Sequence, residues 1–348
     1  KTMDIQNKRI SDEQFYAIRK EVLTQWPTGK DVNLEEAIAY HKAMPETRKF
    51  GKKLLDYYGL SEEMLVSRGT VTYASNVKEI ATQIKASAVD CGILYATDAF
   101  SAGLNVVDIC TPTFLHHDMV MESLNLGVDT ICEKPIALNY ADAKEMLDTA
   151  ETKGCNLYIA QVLQFTKEVQ VLHKLMETGE YGKVLDAHFE RLSAAPRWAV
   201  GGWLFDKKKS GLLPFDLHIH DLDVIVSLFG KPDSFTVQTC KGRDKAYAEH
   251  LRVNYDYGDK HVNGEAAWFN ADSPWTARWR VYFENALVIN DGATVTAYSF
   301  DAPPRVFDTK DEVEISTGIN VPPCGWYYNE LKHFAECIRA GKPTPYVT

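Results

Sequence analysis

The sequence predicts an α/β layer with a parallel sheet, followed by an α+β unit built on a large, mainly antiparallel sheet. Two observations carry this. Strand-like apolar runs alternate with amphipathic helical stretches over residues 70–163. Beyond residue 180 the texture changes to long strands of alternating polarity, punctuated by turn residues. Size agrees: 348 residues, 45% hydrophobic and 25% charged, suffice for two or three domains at roughly 150 residues each. The domain reading is a helical leader over 1–58, an α/β domain over 59–164 and a sheet domain over 165–348.

The elements follow in order. Residues 11–25 read as a helix capped by Ser11, with Phe15, Ile18 and Val22 at helical spacing, and Trp26-Pro27-Thr28-Gly29 stops it. Asn33 caps a second amphipathic helix ended by Pro45. A short strand at 71–74, a helix at 76–86 and a buried strand at 89–96 form a strand–helix–strand unit. A strand over 106–112 leads to a helix from about 116 to 126, and DTICEKP (129–135) makes the next strand. Asn139 caps a helix closed by Gly154, a strand over 156–163 follows, then a helix over 166–178. Four alternating stretches within 183–298 read as antiparallel strands, with turns at Tyr257-Gly258-Asp259 and Asn290-Asp291-Gly292. An apolar helix over 214–229 interrupts them, and a last amphipathic helix ends at Gly341.

Composition excludes several classes. The net charge of −10 argues against a nucleic-acid partner, because phosphate binding needs a basic face. The first 105 residues carry as many basic as acidic groups, so the whole excess lies in the remainder. No apolar run approaches the ~18 residues of a membrane span, so no membrane partner is expected, and the charged first stretch is no secretory signal. Seven scattered cysteines without close pairs argue against a disulfide framework or a structural zinc site, and fit a cytoplasmic setting. Lys1 as first residue, with Met at position 3, reads as a fragment or a processed chain.

Three constellations carry chemistry. On the helix opened by Pro214, Asp216 and His220 are four apart and share one face, with Asp223 joining them. A buried acid–histidine pair must be hydrogen-bonded, and such a pair can orient imidazole and hold its pKa near working pH; a satisfied core network is the bland reading. A metal site at His218, His220 and Asp221 is the weaker alternative, since histidines two apart point to different sides of a helix. Glu133-Lys134-Pro135 lies at the carboxyl end of a buried strand, where ligands bind in open α/β sheets; its proline can fix the turn through a cis bond. The run Cys110-Thr111-Pro112-Thr113-Phe114-Leu115-His116-His117 also falls at a strand end entering a helix, with a capping Thr as its plain reading.

Together TPTFLHH, GVDTICEKP and SGLLPFDLHIHDLD, in this order and spacing, resemble the NAD(P)-dependent glucose–fructose oxidoreductase, inositol dehydrogenase and rhizopine-catabolism (Gfo/Idh/MocA) family from about Val106 onward. The resemblance implies an incomplete Rossmann-like sheet and hydride transfer between NAD or NADP and a sugar or polyol. It implies Lys134, Asp216 and His220 as the catalytic group: histidine moves the hydroxyl proton, aspartate orients it, lysine polarises the oxygen. Thr111, Pro112, His116, Glu133 and Lys134 would line the cofactor; Arg197, Trp203 and Asp206, beside Trp198, would shape the sugar pocket. A homo-oligomer joined through the sheet domain is expected; members of the family usually continue with a further helix where this chain stops, at Val347-Thr348.

The sequence also departs from that family. Nowhere are two glycines separated by one residue, so the G-x-G-x-x-G fingerprint of the pyrophosphate turn is absent. Residues 1–50 resemble the leader of the glutamate mutase large subunit, and residues 51–107 part of a periplasmic molybdate-binding protein; neither brings cobalamin or molybdate apparatus. The chain therefore reads as a chimera. The competing function is a cofactor-less sugar-binding or assembly protein.

Overall fold

The computed structural model describes residues 106–311 and 324–346, all within one compact unit, Tyr95–Thr348. The helices and strands expected before residue 106, and with them the leader, lie outside the described residues.

Three short strands form a small parallel sheet, β1 (Val106–Ile109), β2 (Asp129–Glu133) and β3 (Leu157–Ala160), paired in the order β1-β2-β3. Helix α1 (His116–Asn125) joins the first two strands and α2 (Tyr140–Lys153) the last two. The side chain of Asn139 accepts from the Asp142 N–H at 2.9 Å, and Gly154 closes α2 at φ 66°. Each cap stabilises by about 1 kcal/mol. Val120, Leu124 and Met146 cover one face of the sheet with Ile109, Cys132 and Ile159. The other face is covered from far along the chain: Phe334 and Cys337 of α6 (Trp326–Ala340) pack on Ile131, Tyr158 and Ala160. Strands covered on both faces carry apolar residues at adjacent positions, as at Val106 and Val107 in β1, Ile131 and Cys132 in β2 and Leu157 to Ala160 in β3. The third strand is shorter than expected, because Val162–Phe165 forms a 3-10 turn.

Helix α3 (Lys167–Thr178), capped by Thr166, leads into an eight-stranded sheet. Its strands are β4 (Val184–Ala194), β5 (Ser234–Cys240), β6 (His250–Asp256), β7 (His261–Phe269), β8 (Thr276–Phe283), β9 (Leu287–Asn290), β10 (Val295–Tyr298) and β11 (Arg305–Phe307). The order is β11-β10-β9-β8-β4-β7-β6-β5, antiparallel except where β4 runs parallel to β7. Alternation sets the two faces. Ala187 and Phe189 of β4, with Val262 and Ala266 of β7, join the core against Leu172 of α3 and Val224 and Ile225 of α5 (Ile219–Phe229). His188, Glu190, Asn263 and Glu265 alternate with them on the opposite face.

Between β4 and α5 lie a 3-10 stretch, Val200–Phe205, the short α4 (Lys207–Ser210) and a π-turn, Pro214–His218. One continuous α-helix from Pro214 was expected. Its first turn is instead a π-turn, with i→i+5 spacing.

Candidate active site

The parallel strands end where the π-turn begins. Buried Thr130, Ile131 and Cys132 of β2 give way to Glu133-Lys134-Pro135, whose Lys134–Pro135 bond is cis. Lys134 Nζ donates to the Asp216 carbonyl oxygen at 2.6 Å and to Asp216 Oδ1 at 3.1 Å. The two side chains keep 16% and 24% exposure, so the pair remains within reach of a bound molecule.

His220 stands one turn on. Its Nδ1 is buried without a hydrogen-bond partner. Burial, then the nearby charges of Lys134 and Arg191, hold its pKa well below the ordinary histidine value, so the ring is neutral at neutral pH. Asp216 was expected to orient this ring. No hydrogen bond joins them among the described residues, because the π-turn carries the Asp216 carboxylate to Lys134 instead. Asp223, the third polar group of that face, accepts from Gln164 Nε2 at 2.6 Å, and burial raises its carboxyl to about 6.

His116 is fully buried and bridges both turns. Its Nδ1 lies 2.8 Å from the Pro135 carbonyl oxygen and its Nε2 2.9 Å from that of Thr111. Burial lowers its pKa, so the ring is neutral and donates to one of these two carbonyls, and His116 sits between the Thr111 and Pro135 turns. Thr111 Oγ1 points to Met119 Sδ at 3.5 Å, and the Pro112 carbonyl accepts from Leu115 N. The expected capping Thr is not found: α1 starts without a side-chain cap.

Acid groups crowd this edge. Burial raises the carboxyls of Asp108 and Glu133 and pushes Glu330 on α6 well above the carboxylate range; Glu133, Asp108 and Asp223 repel Glu330 further. The sequence reading missed Glu330 and Asp108. Glu330 falls in line with Trp326 and Phe334 on the apolar stripe of its helix, and Asp108 interrupts an apolar strand; those were the signals.

The proposed sugar residues have partners of their own. Arg197 is exposed and donates to Asn270 Oδ1 at 2.6 Å, Trp198 is exposed, Trp203 packs on the sheet core, and Asp206 caps α4 through the Lys208 N–H. No hydrogen bond brings them to Lys134 among the described residues. The weaker metal reading fails on geometry. His218 Nε2 meets the Tyr255 hydroxyl at 2.5 Å, and Asp221 is held by Arg191 at 3.0 and 2.8 Å, so these side chains do not converge with His220.

Two family models match the chain. One, described as an oxidoreductase family with an NAD-binding Rossmann fold, covers residues 69–161; the other, the GFO/IDH/MocA C-terminal domain, covers 169–289. A 2,7-anhydro-N-acetylneuraminate hydratase of Mediterraneibacter gnavus is 33% identical over 158 residues, 44% of this chain and 42% of that protein. The chain spans half or less of the length of the first curated relatives it matches. Among solved structures, a levoglucosan dehydrogenase in complex with NADH and levoglucosan superposes with a TM-score of 0.61 at 18% identity, over 72% of this chain and 79% of that one. The glutamate mutase epsilon subunit of Desulfitobacterium hafniense is 48% identical over 54 residues, 16% of this chain and 11% of that protein. That match accords with the resemblance noted for the leader.

Proposed function

The chain belongs to the GFO/IDH/MocA oxidoreductase family, and on that premise we propose that it moves a hydride between a nicotinamide cofactor, NAD or NADP, and a carbon of a sugar or polyol. The observation that carries the reading is the meeting of Lys134 with Asp216 beside a neutral His220. Lys134 Nζ holds the reacting oxygen, and Asp216 fixes the lysine through two acceptors. His220, uncharged and with one nitrogen unpartnered, takes the hydroxyl proton on oxidation and returns it on reduction. The cofactor supplies or accepts the hydride. The residues at the carboxyl edge of β1 and β2 fit its nicotinamide end: Asp108, Glu133 and Glu330 gather there, and burial favours their neutral, hydrogen-bonding carboxyl form. The pyrophosphate end requires close backbone approach, and the sequence offers no G-x-G turn for it. A homo-oligomer belongs to the same reading.

Fluorescence titration with NADH and NADPH tests it. Saturable binding of either is expected, and absence of binding by both overturns the proposal in favour of a cofactor-less sugar binder. In an active protein, His220→Ala is expected to lower turnover 10²–10⁴-fold, about the share of a general base, while cofactor affinity changes little.

A further inference from the structure

On the sheet face opposite the helices, β4 and β7 run side by side in parallel register, with His188 opposite Asn263 and Glu190 opposite Glu265. Two carboxylates directly opposite one another on neighbouring strands repel. His188 lies two residues along, its Nε2 3.9 Å from Glu190 Oε2. One ligand atom each from His188, Glu190 and Glu265 falls within 4.8 Å of the others.

The surrounding hydrogen bonds fix which atoms point inward. His188 Nδ1 meets Asn263 Oδ1, and Asn263 Nδ2 donates to the Ala187 carbonyl, which sets the amide so that its oxygen faces the ring. An oxygen acceptor there requires the proton on Nδ1, which leaves the lone pair on Nε2, facing the carboxylates. A lone pair aimed at two anions is unfavourable unless a cation lies between them. Glu265 Oε1 is held by His250 Nε2 at 2.7 Å and Arg252 Nη2 at 3.2 Å, whereas Oε2 meets Arg252 Nε alone, at 3.1 Å, and keeps a further lone pair. Arg278 and Arg280 of β8 stand opposite Glu190 and His188, and Asp186 pairs with Arg280 at 2.6 Å.

We propose that His188 Nε2, Glu190 and Glu265 bind a divalent first-row transition ion on this face, apart from the Lys134 site. One imidazole and two carboxylates suit zinc, manganese or iron(II). Ligands ~2.1 Å from a tetrahedral ion lie about 3.4 Å apart, so the three groups close by little more than an ångström. Asn263 is the outer partner that orients the ligating imidazole, and His250 and Arg252 orient Glu265. Three protein ligands leave the fourth position to water.

Zinc chloride titrated into the metal-stripped full chain by calorimetry tests this. One equivalent should bind, with affinity reduced at least tenfold in His188→Ala and in the near-isosteric Glu190→Gln, and equal to the parent in His220→Ala. Cobalt(II) absorption, which separates thiolate from nitrogen and oxygen ligation, should show no thiolate band, so the cysteines are not the site. No zinc uptake by the parent chain overturns the proposal. Uptake unchanged in both His188→Ala and Glu190→Gln, or a thiolate band, overturns it equally.

Discussion

The segment Pro214–Phe229 meets two regions and offers each an aspartate paired with a cation. Toward the parallel sheet, Asp216 in the π-turn takes Lys134, and both side chains stay partly exposed. Toward the large sheet, Asp221 takes Arg191 through two parallel hydrogen bonds, at 4% and 6% exposure. The chemistry is nearly the same and the consequences differ. A planar guanidinium fork satisfies both carboxylate oxygens and locks the pair, leaving nothing for a ligand. An ammonium held by one carboxylate oxygen and one carbonyl has a third proton to offer. The histidines follow the contrast only in part: each has an unpartnered Nδ1, but His218 is anchored through its Nε2 to the Tyr255 hydroxyl under the sheet. Burial with full satisfaction makes structure; partial satisfaction at an edge makes a site.

The sharpest way to break this contrast is Arg191→Ala. It strands the Asp221 carboxylate in the core, and a loss of about 3–5 kcal/mol in urea unfolding is expected. The double variant Arg191→Met with Asp221→Leu should recover most of that, because the isolated charge is gone. A loss below about 1 kcal/mol for the single change would show that water reaches Asp221 and that the two pairs do not differ in kind.

Next comes the pH dependence of the acidic edge. Asp223 is raised in the folded state to about 6, so its contribution is present below the ordinary carboxylate pKa and is lost as pH rises through 6. Asp223→Asn removes the ionisation. It should gain up to about 3 kcal/mol over the parent at pH 7, about two pKa units' worth, and nothing at pH 4. Glu133 and Glu330 shift in the same direction, so the parent's dependence persists in part. Equal gains at both pH values would mean that the substitution acts through packing.

Gly264→Ala probes the locked side again. A Cβ there would meet His218 Cε1 at 2.5 Å, with Tyr255 holding the ring from moving away. About 1–3 kcal/mol of overpacking is expected, read as a lower urea midpoint. A neutral result would show that the ring can slide, and with it the start of α5.

Much of the fold was legible because its signals are local. Asn139 and Gly154 cap α2 as the sequence implies, and the adjacent apolar residues of β2 and β3 belong to a sheet covered on both faces. Lys134 was legible as a site residue from its place at a strand end. What was not legible depends on distant partners. Asp216 and His220 are four apart, which on an α-helix makes them neighbours; the π-turn that separates their roles follows no local pattern that distinguishes Pro214–His218 from an ordinary first turn. Arg191 lies 30 residues before Asp221, and only the packing of α5 on β4 brings them together. The parallel pairing of β4 with β7 inside an otherwise antiparallel sheet was hidden for the same reason.

The smallest expected change in stability tests the comparison most finely. Lys134→Met keeps the aliphatic bulk of the side chain and removes the ammonium. Asp216 retains 24% exposure, so water can take over one acceptor, and a loss of at most about 1 kcal/mol is expected. Removing the lysine also removes a positive charge beside His220, where it acts to lower the imidazole pKa. The ring should therefore titrate at higher pH in the variant, measurable by NMR, although burial keeps it below the ordinary value. An unchanged His220 would place Lys134 too far away to act on the same bound oxygen. A stability loss as large as that of Arg191→Ala would make the lysine a structural strut. A small loss with a shifted histidine leaves the pair what its geometry suggests, a cation held loosely enough to bind something else.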